Sequence, residues 1–298
     1  MRATWKSVRF GVSMLAFLGA ISLGSPAGAD QPPGPPRPPQ PPRPPQPGAQ
    51  QRAGDEGGMH YRISAGTGAR PDYEGSNDYD PFPFGALRVW WDDGRYSEMS
   101  GAQSSGSAVR LTGNIIPNSP LEIGPTLQYR LARDNVQSGR VDALGEVDAA
   151  WEAGFTAAYR VKEWSLDLTW VHDISDEYDG HVLEFGGGYE KVLSPNLGIS
   201  LGVSSTYASD EYMDTYFGVS AADALVIPGY SAHNPDDGFK DVGGRMALAW
   251  AGDNWGGWKL VAVFSYYRLI DDAADSSVVD ESGDENQFFG GLMGTYER

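Results

Sequence analysis

Four histidines, His60, His172, His181 and His233, are the side chains best suited to move a proton or hold a metal near neutral pH. His172 is followed by Asp173, and with His181 it brackets Asp176, Glu177 and Asp179, from which a His–Asp pair or a metal site could be assembled. No third partner stands at an informative spacing, and such residues in a polar connector are ordinarily solvated. The G-x-S-x-G, H-E-x-x-H and P-loop patterns do not occur. With no cysteine, thiol catalysis, thiolate metal sites, disulfides and a lipoprotein anchor are all excluded. The sequence points away from an enzyme and nominates no catalytic, cofactor-binding or metal-ligating residue.

Three other groups of residues carry charge or aromatic surface in a pattern. Between Asp271 and Glu285 lie seven carboxylates, Asp271, Asp272, Asp275, Asp280, Glu281, Asp284 and Glu285. They lack the order of an EF-hand loop, so they suit a solvated loop, a funnel for cations, or a divalent bridge to lipopolysaccharide phosphates. A second group, Glu122, Arg130, Glu152, Arg160, Glu163, Asp167, Glu184, Arg245 and Lys259, falls on polar faces of predicted strands and suggests a ladder of ion pairs across a narrow lumen. The third, Tyr212, Tyr216, Phe217 and Tyr230, sits in a long connector at 208–240 that is expected to fold over or into a pore mouth. A net charge of -18 excludes a nucleic-acid partner, because no basic patch exists to neutralise phosphates.

Two segments precede the elements that must position these groups. Arg2, Lys6 and Arg9, the apolar run at 10–23 and Ala27-Gly28-Ala29 have the layout of a secretory signal peptide over 1–29. The stretch at 31–47 holds eleven prolines and the hexamer PPRPPQ twice, which predicts a disordered, polyproline-rich periplasmic linker over 30–58. Arg37 and Arg43 space charges along it.

From Met59 to Arg298 the period becomes two. Leu121, Ile123, Leu127 and Tyr129 alternate with Glu122, Gly124, Thr126 and Gln128, and Trp164, Leu166, Leu168 and Trp170 alternate with Ser165, Asp167 and Thr169. The same repeat recurs at 151–161, 197–207, 242–250, 258–266 and 288–296. Aromatics close both ends of several apolar faces, as in Trp151 and Tyr159 or Trp258 and Tyr266, which matches the girdles of a membrane barrel. Short connectors (92–94, 116–119, 162–163, 194–196, 252–257) alternate with long ones (71–80, 132–149, 172–180, 208–240, 271–285). The expected fold is therefore all-β: a transmembrane, antiparallel, up-and-down β-barrel of about twelve strands, with tight turns and both termini on the periplasmic side of the outer membrane.

Three stretches carry a family resemblance. They are GTGARPDYEGSNDY (66–79) with Pro81, Phe82, Pro83 and Phe84; YMDTYFGVS (212–220), continuing through Tyr230 to Gly238, Lys240, Asp241 and Val242; and YRLIDDAADS (267–276) with Asn286, Gln287 and Phe288. On these the chain resembles the MipA/OmpV family of MltA-interacting outer-membrane proteins. The resemblance implies a non-enzymatic scaffold linking a murein lytic transglycosylase to a penicillin-binding synthase. Its alternatives are a narrow, cation-favouring route for small solutes and a surface adhesin. Two features depart from the family: the proline-rich leader, and an ending on Tyr296-Glu297-Arg298 in place of an aromatic residue.

Overall fold

A computed structural model describes residues 58–102, 108–252 and 255–298; the signal segment and the proline-rich linker, apart from Gly58, lie outside the described residues. Strands β1 (Met59–Pro71), β2 (Tyr79–Trp91), β3 (Tyr96–Ala102), β4 (Ala108–Asn114), β5 (Leu121–Arg130) and β6 (Ala150–Val161) form one half of the chain. The other half is β7 (Trp164–Asp173), β8 (His181–Ser194), β9 (Leu197–Ala208), β10 (Gly238–Trp250), β11 (Trp258–Leu269) and β12 (Asn286–Glu297). Each strand pairs antiparallel with its sequence neighbours, and β1 pairs with β12, so the twelve strands close into a barrel. Closure leaves no unpaired sheet edge, the condition for a β-structure to sit in hydrocarbon.

The alternation predicted from sequence is realised with its apolar set outward. Leu121, Phe155, Leu166, Val203, Phe264 and Leu292 are exposed, whereas Gln128, Glu152, Thr206 and Thr295 are buried inside the barrel. A soluble barrel has the reverse arrangement, so this surface is built to face acyl chains. Aromatic pairs mark both rims of the belt: Tyr129–Trp151 and Tyr207–Phe239 at one, Trp164–Tyr189 and Trp258–Tyr296 at the other. Trp151 and Tyr159 lie on one strand eight residues apart, so at the usual rise and tilt they stand about 20 Å apart across the bilayer.

Long connectors gather at the rim opposite the chain ends, and they are folded. They hold α1 (Gly139–Asp142), α2 (Asp210–Phe217), α3 (Ala221–Val226), α4 (Asp271–Asp275) and α5 (Ser277–Asp280). The stretch expected as an open acidic loop is thus two short helices. Ala273, Val278 and Val279 face inward and are buried, because an apolar Val-Val step amid the carboxylates gives the segment something to pack.

The lumen has two unlike walls, where the sequence suggested a uniformly polar one. Phe82, Phe84, Ala247, Val261, Val263 and Met293 pack as an apolar cluster, with Phe289 against it, on the side of β1, β2 and β10–β12. Phe84 lies so close over Gly291 that a Cβ there would stand 2.5 Å from its ring. The facing wall presents glycines, serines, threonines and charges, and there the space stays open.

Candidate functional site

The lumen is built in tiers. At the long-loop rim, Arg130 Nε donates to Glu152 Oε1 at 2.7 Å, with both side chains essentially withdrawn from solvent (2% and 0% exposed). Helix α2 lies directly over this pair. Arg130 stacks its guanidinium against the rings of Tyr212 (4.9 Å) and Tyr216 (5.9 Å), and the Tyr178 hydroxyl donates to Glu152 at 2.7 Å. Tyr212, Met213, Tyr216 and Phe217 complete a buried cluster with Val171, Val182 and Leu269. Burial pushes the hydroxyls of Tyr178, Tyr212 and Tyr216 well above the ordinary phenol pKa, since an ionised phenolate would lose its water there.

Beside this cluster, Lys240 pairs with Glu74 and, at 2.9 Å, with Asp241, while Tyr212 donates to Glu74 at 2.7 Å. Two adjacent charges both face the lumen because the β9–β10 register slips between Phe239 and Asp241. Phe239 and Val242 then point outward and the extra residue, Lys240, inward. A β-bulge of this kind re-aims one side chain without breaking the barrel. Neither Lys240 nor Asp241 was singled out for this role from sequence; the signal was two polar residues set between outward Phe239 and Val242, a break in strict alternation.

Below the mouth, a chain of contacts runs down the wall. Gln128 donates to Glu152, Arg110 Nε donates to Gln128 at 2.7 Å, and Arg110 Nη2 reaches Glu184 at 2.6 Å, crossing from β4 to β8. The hydroxyls of Thr126, Thr156 and Thr169 link in a row across three strands at 2.7 and 2.9 Å. Nearer the turns, Arg160 pairs with Glu122 at 2.9 Å and Asp167 at 3.5 Å, and Arg88 pairs with Glu98 at 3.1 Å. At the seam, Glu297 accepts from both Arg62 and Lys259, which ties β1, β11 and β12.

The ion pairs differ in exposure: essentially none at Arg130–Glu152, 14% on both sides at Arg110–Glu184, and 40% for Arg160 against 16% for its partner Glu122 near the turns. The lumen is most tightly packed at the loop rim, and the most exposed of its paired guanidiniums, that of Arg160, lies toward the turn rim. A cavity of about 280 Å³ fills the gap, lined among others by Arg88, Arg110, Glu122, Arg160, Asp167, Glu184, Glu190 and Arg245.

The structure therefore brings eight of the nine ladder residues to the interior, in three separate tiers. Glu163 is the exception: it lies exposed in the two-residue turn between β6 and β7, where its carbonyl accepts from the Glu190 amide at 2.8 Å. Of the four aromatic lid residues, Tyr212, Tyr216 and Phe217 plug the mouth, while Tyr230 packs with Tyr73 and Val278 in the outer-loop cluster and donates to Ser282 at 2.8 Å.

The acidic residues do not converge. Asp272 accepts from the Asp236 amide at 2.8 Å, Asp284 from the Asn286 amide at 2.8 Å, Glu285 pairs with Arg268 at 2.6 Å, and Glu281 faces Arg140 at 3.6 Å. Asp271, Asp275 and Asp280 belong to α4 and α5 themselves. Among the described residues no three His, Asp or Glu side chains are grouped to hold a metal ion. The histidines are also dispersed. His172 and His181 face each other across β7 and β8, His60 meets Asp92 at 2.8 Å by the turns, and His233 contacts the Asp272 carbonyl at 2.8 Å.

The model of the family described as "MltA-interacting protein MipA" matches residues 63–298. No curated protein matches the sequence. Among solved structures, the NanC porin is 9% identical, with 80% of this chain and 99% of that one covered and a TM-score of 0.42. OprB of Pseudomonas putida is 10% identical, over 82% and 95% of the two chains, with a TM-score of 0.38. OmpT, an outer-membrane protein of Vibrio cholerae, is 10% identical over 81% and 97%, with a TM-score of 0.34. The family match spans nearly the whole closed, outward-apolar barrel, from within β1 to the last residue. This chain is an outer-membrane β-barrel and belongs to the MltA-interacting protein MipA family.

Proposed function

We propose that the protein is a sealed outer-membrane barrel that acts as a non-enzymatic scaffold, holding a peptidoglycan-remodelling enzyme at its turn rim, with both chain ends in the periplasm. The observation that supports this is the covered mouth: α2 seats Tyr212 and Tyr216 on the buried Arg130–Glu152 pair at the loop rim. A barrel capped in this way is suited to anchoring. The family's name, MltA-interacting protein, points to a murein transglycosylase as the class of partner; a penicillin-binding synthase as its companion follows from the family resemblance alone. The compact turns at 92–95, 162–163 and 195–196 offer contact surfaces at the turn rim, and the two PPRPPQ hexamers of the leader sequence are a further candidate contact for such an enzyme. The alternative of a cation-favouring channel needs α2 to leave the mouth.

The scaffold reading is tested with photo-cross-linkers at Asp93, Lys162 and Asn196 in intact cells, followed by mass spectrometry. The expected adducts contain a lytic transglycosylase and are missing when the cross-linker is placed at Leu225, on the loop rim. Adducts only from Leu225, or none with any wall enzyme, contradict it.

A further inference from the structure

The blind cavity is left unused by a purely anchoring role. Its existence follows from the asymmetry of the lumen: bulky Phe82, Phe84 and Met293 fill one wall, while Gly101, Gly186, Ser204 and the threonine row leave room at the other. At about 280 Å³ it lies just below the usual range of drug-sized pockets, which suits a molecule the size of an amino acid or dipeptide.

Its chemistry is two-signed. Arg88, Arg110, Arg160 and Arg245 face Glu98, Glu122, Asp167, Glu184 and Glu190 across it. Arg88, Arg110 and Arg160 pair with carboxylates within 3.1 Å. Glu190 differs from the other four carboxylates. It is half-buried on β8, and Arg160, Arg62, Arg245 and Arg88 all act on it electrostatically, yet its carboxylate has no ion pair or hydrogen bond among the described residues. A carboxylate held in a chamber short of direct contact with the surrounding guanidiniums leaves a gap that a donor can occupy. The guanidiniums can also take a further acceptor, since each carries five N–H donors and Arg88 engages Glu98 through Nη1 alone.

We propose that this chamber is a binding site for a small zwitterion, an amino acid or dipeptide, which enters from the turn rim and sets its ammonium on Glu190 and its carboxylate against Arg88 and Arg160. The inference goes beyond the scaffold reading and does not depend on any protein partner.

The test is calorimetric titration of the detergent-solubilised barrel with three probes of one shape: alanyl-alanine, its N-acetylated form and its C-terminal amide. The expected result is that the zwitterion binds at least about tenfold more tightly than either capped form. In Glu190→Gln, the zwitterion falls to the level of the N-acetylated probe, while Glu190→Asp keeps part of the preference. Heat-modifiable migration on a denaturing gel checks that both variants are folded barrels. If a capped form binds as well as the zwitterion, if none of the three binds, or if Glu190→Gln keeps the full preference, the proposal is overturned. The wild-type comparison decides the matter even if the variants fail to assemble.

Discussion

At the scale of single residues, the lumenal charges differ in what their loss should do. Glu152 meets Arg130 in a place with essentially no solvent. Removing one member of a buried pair strands the other charge, at a cost of about 3–5 kcal/mol, whereas an exposed pair contributes about 0–1 kcal/mol. Glu152→Ala should therefore lower the denaturant midpoint of the solubilised barrel sharply. Arg95→Ala, which breaks the exposed pair with Asp93, should leave that midpoint almost unchanged. Equal effects of the two substitutions would mean that the mouth is wetter than the structure shows. The inward set was legible because strand alternation assigns faces without knowledge of the turns. Two residues escaped that logic for local reasons: Lys240 is turned inward by a bulge, and Glu163 is pulled into a tight turn where no face is defined.

At the scale of elements, the strands were visible in the sequence and the helices of the loop rim were not. Seven runs of alternating residues, together with connectors of alternating length, specify an up-and-down barrel of about twelve strands because each strand must cross the same thickness of lipid. Helix α2 is only eight residues long, and isolated helices of that length are unstable in water. It exists because Tyr212, Met213, Tyr216 and Phe217 find a prepared bed in the barrel mouth, a tertiary cause that periodicity within the loop does not reveal.

The plug formed by these loops has a pH signature. Burial pushes the Tyr73 hydroxyl up to about 12, and Tyr212, Tyr216 and Tyr230 are displaced in the same direction. A phenol whose folded pKa lies above its ordinary value of 10.0 favours the fold fully below that value. That contribution is lost as pH rises toward the folded pKa. Alkaline titration followed by tyrosinate absorbance should show a late-titrating set of phenols, and the plug should loosen between roughly pH 10 and 12 while the strands persist. The same titration on Tyr212→Phe should lose one late phenol. If every tyrosine ionises together at the ordinary value, the loops are not packed as described.

At the scale of the whole molecule, the account comes down to a barrel with one closed and one open rim. The apolar belt places it in the outer membrane, the aromatic and ionic seal over Arg130 and Glu152 closes it at the loop rim, and the chamber below faces the turns. The sequence could state that the long connector at 208–240 folds over or into the mouth; it could not state how completely, since the packing depends on which side chains from several connectors and strands meet there. Single-channel recording in planar bilayers tests this most directly, with the intact barrel set beside a variant in which residues 210–226 are replaced by a short flexible link. A barrel plugged by α2 should be silent as the wild type and show stable conductance steps in the variant. Steady, ohmic conductance from the wild type, or a variant as silent as its parent, would contradict it.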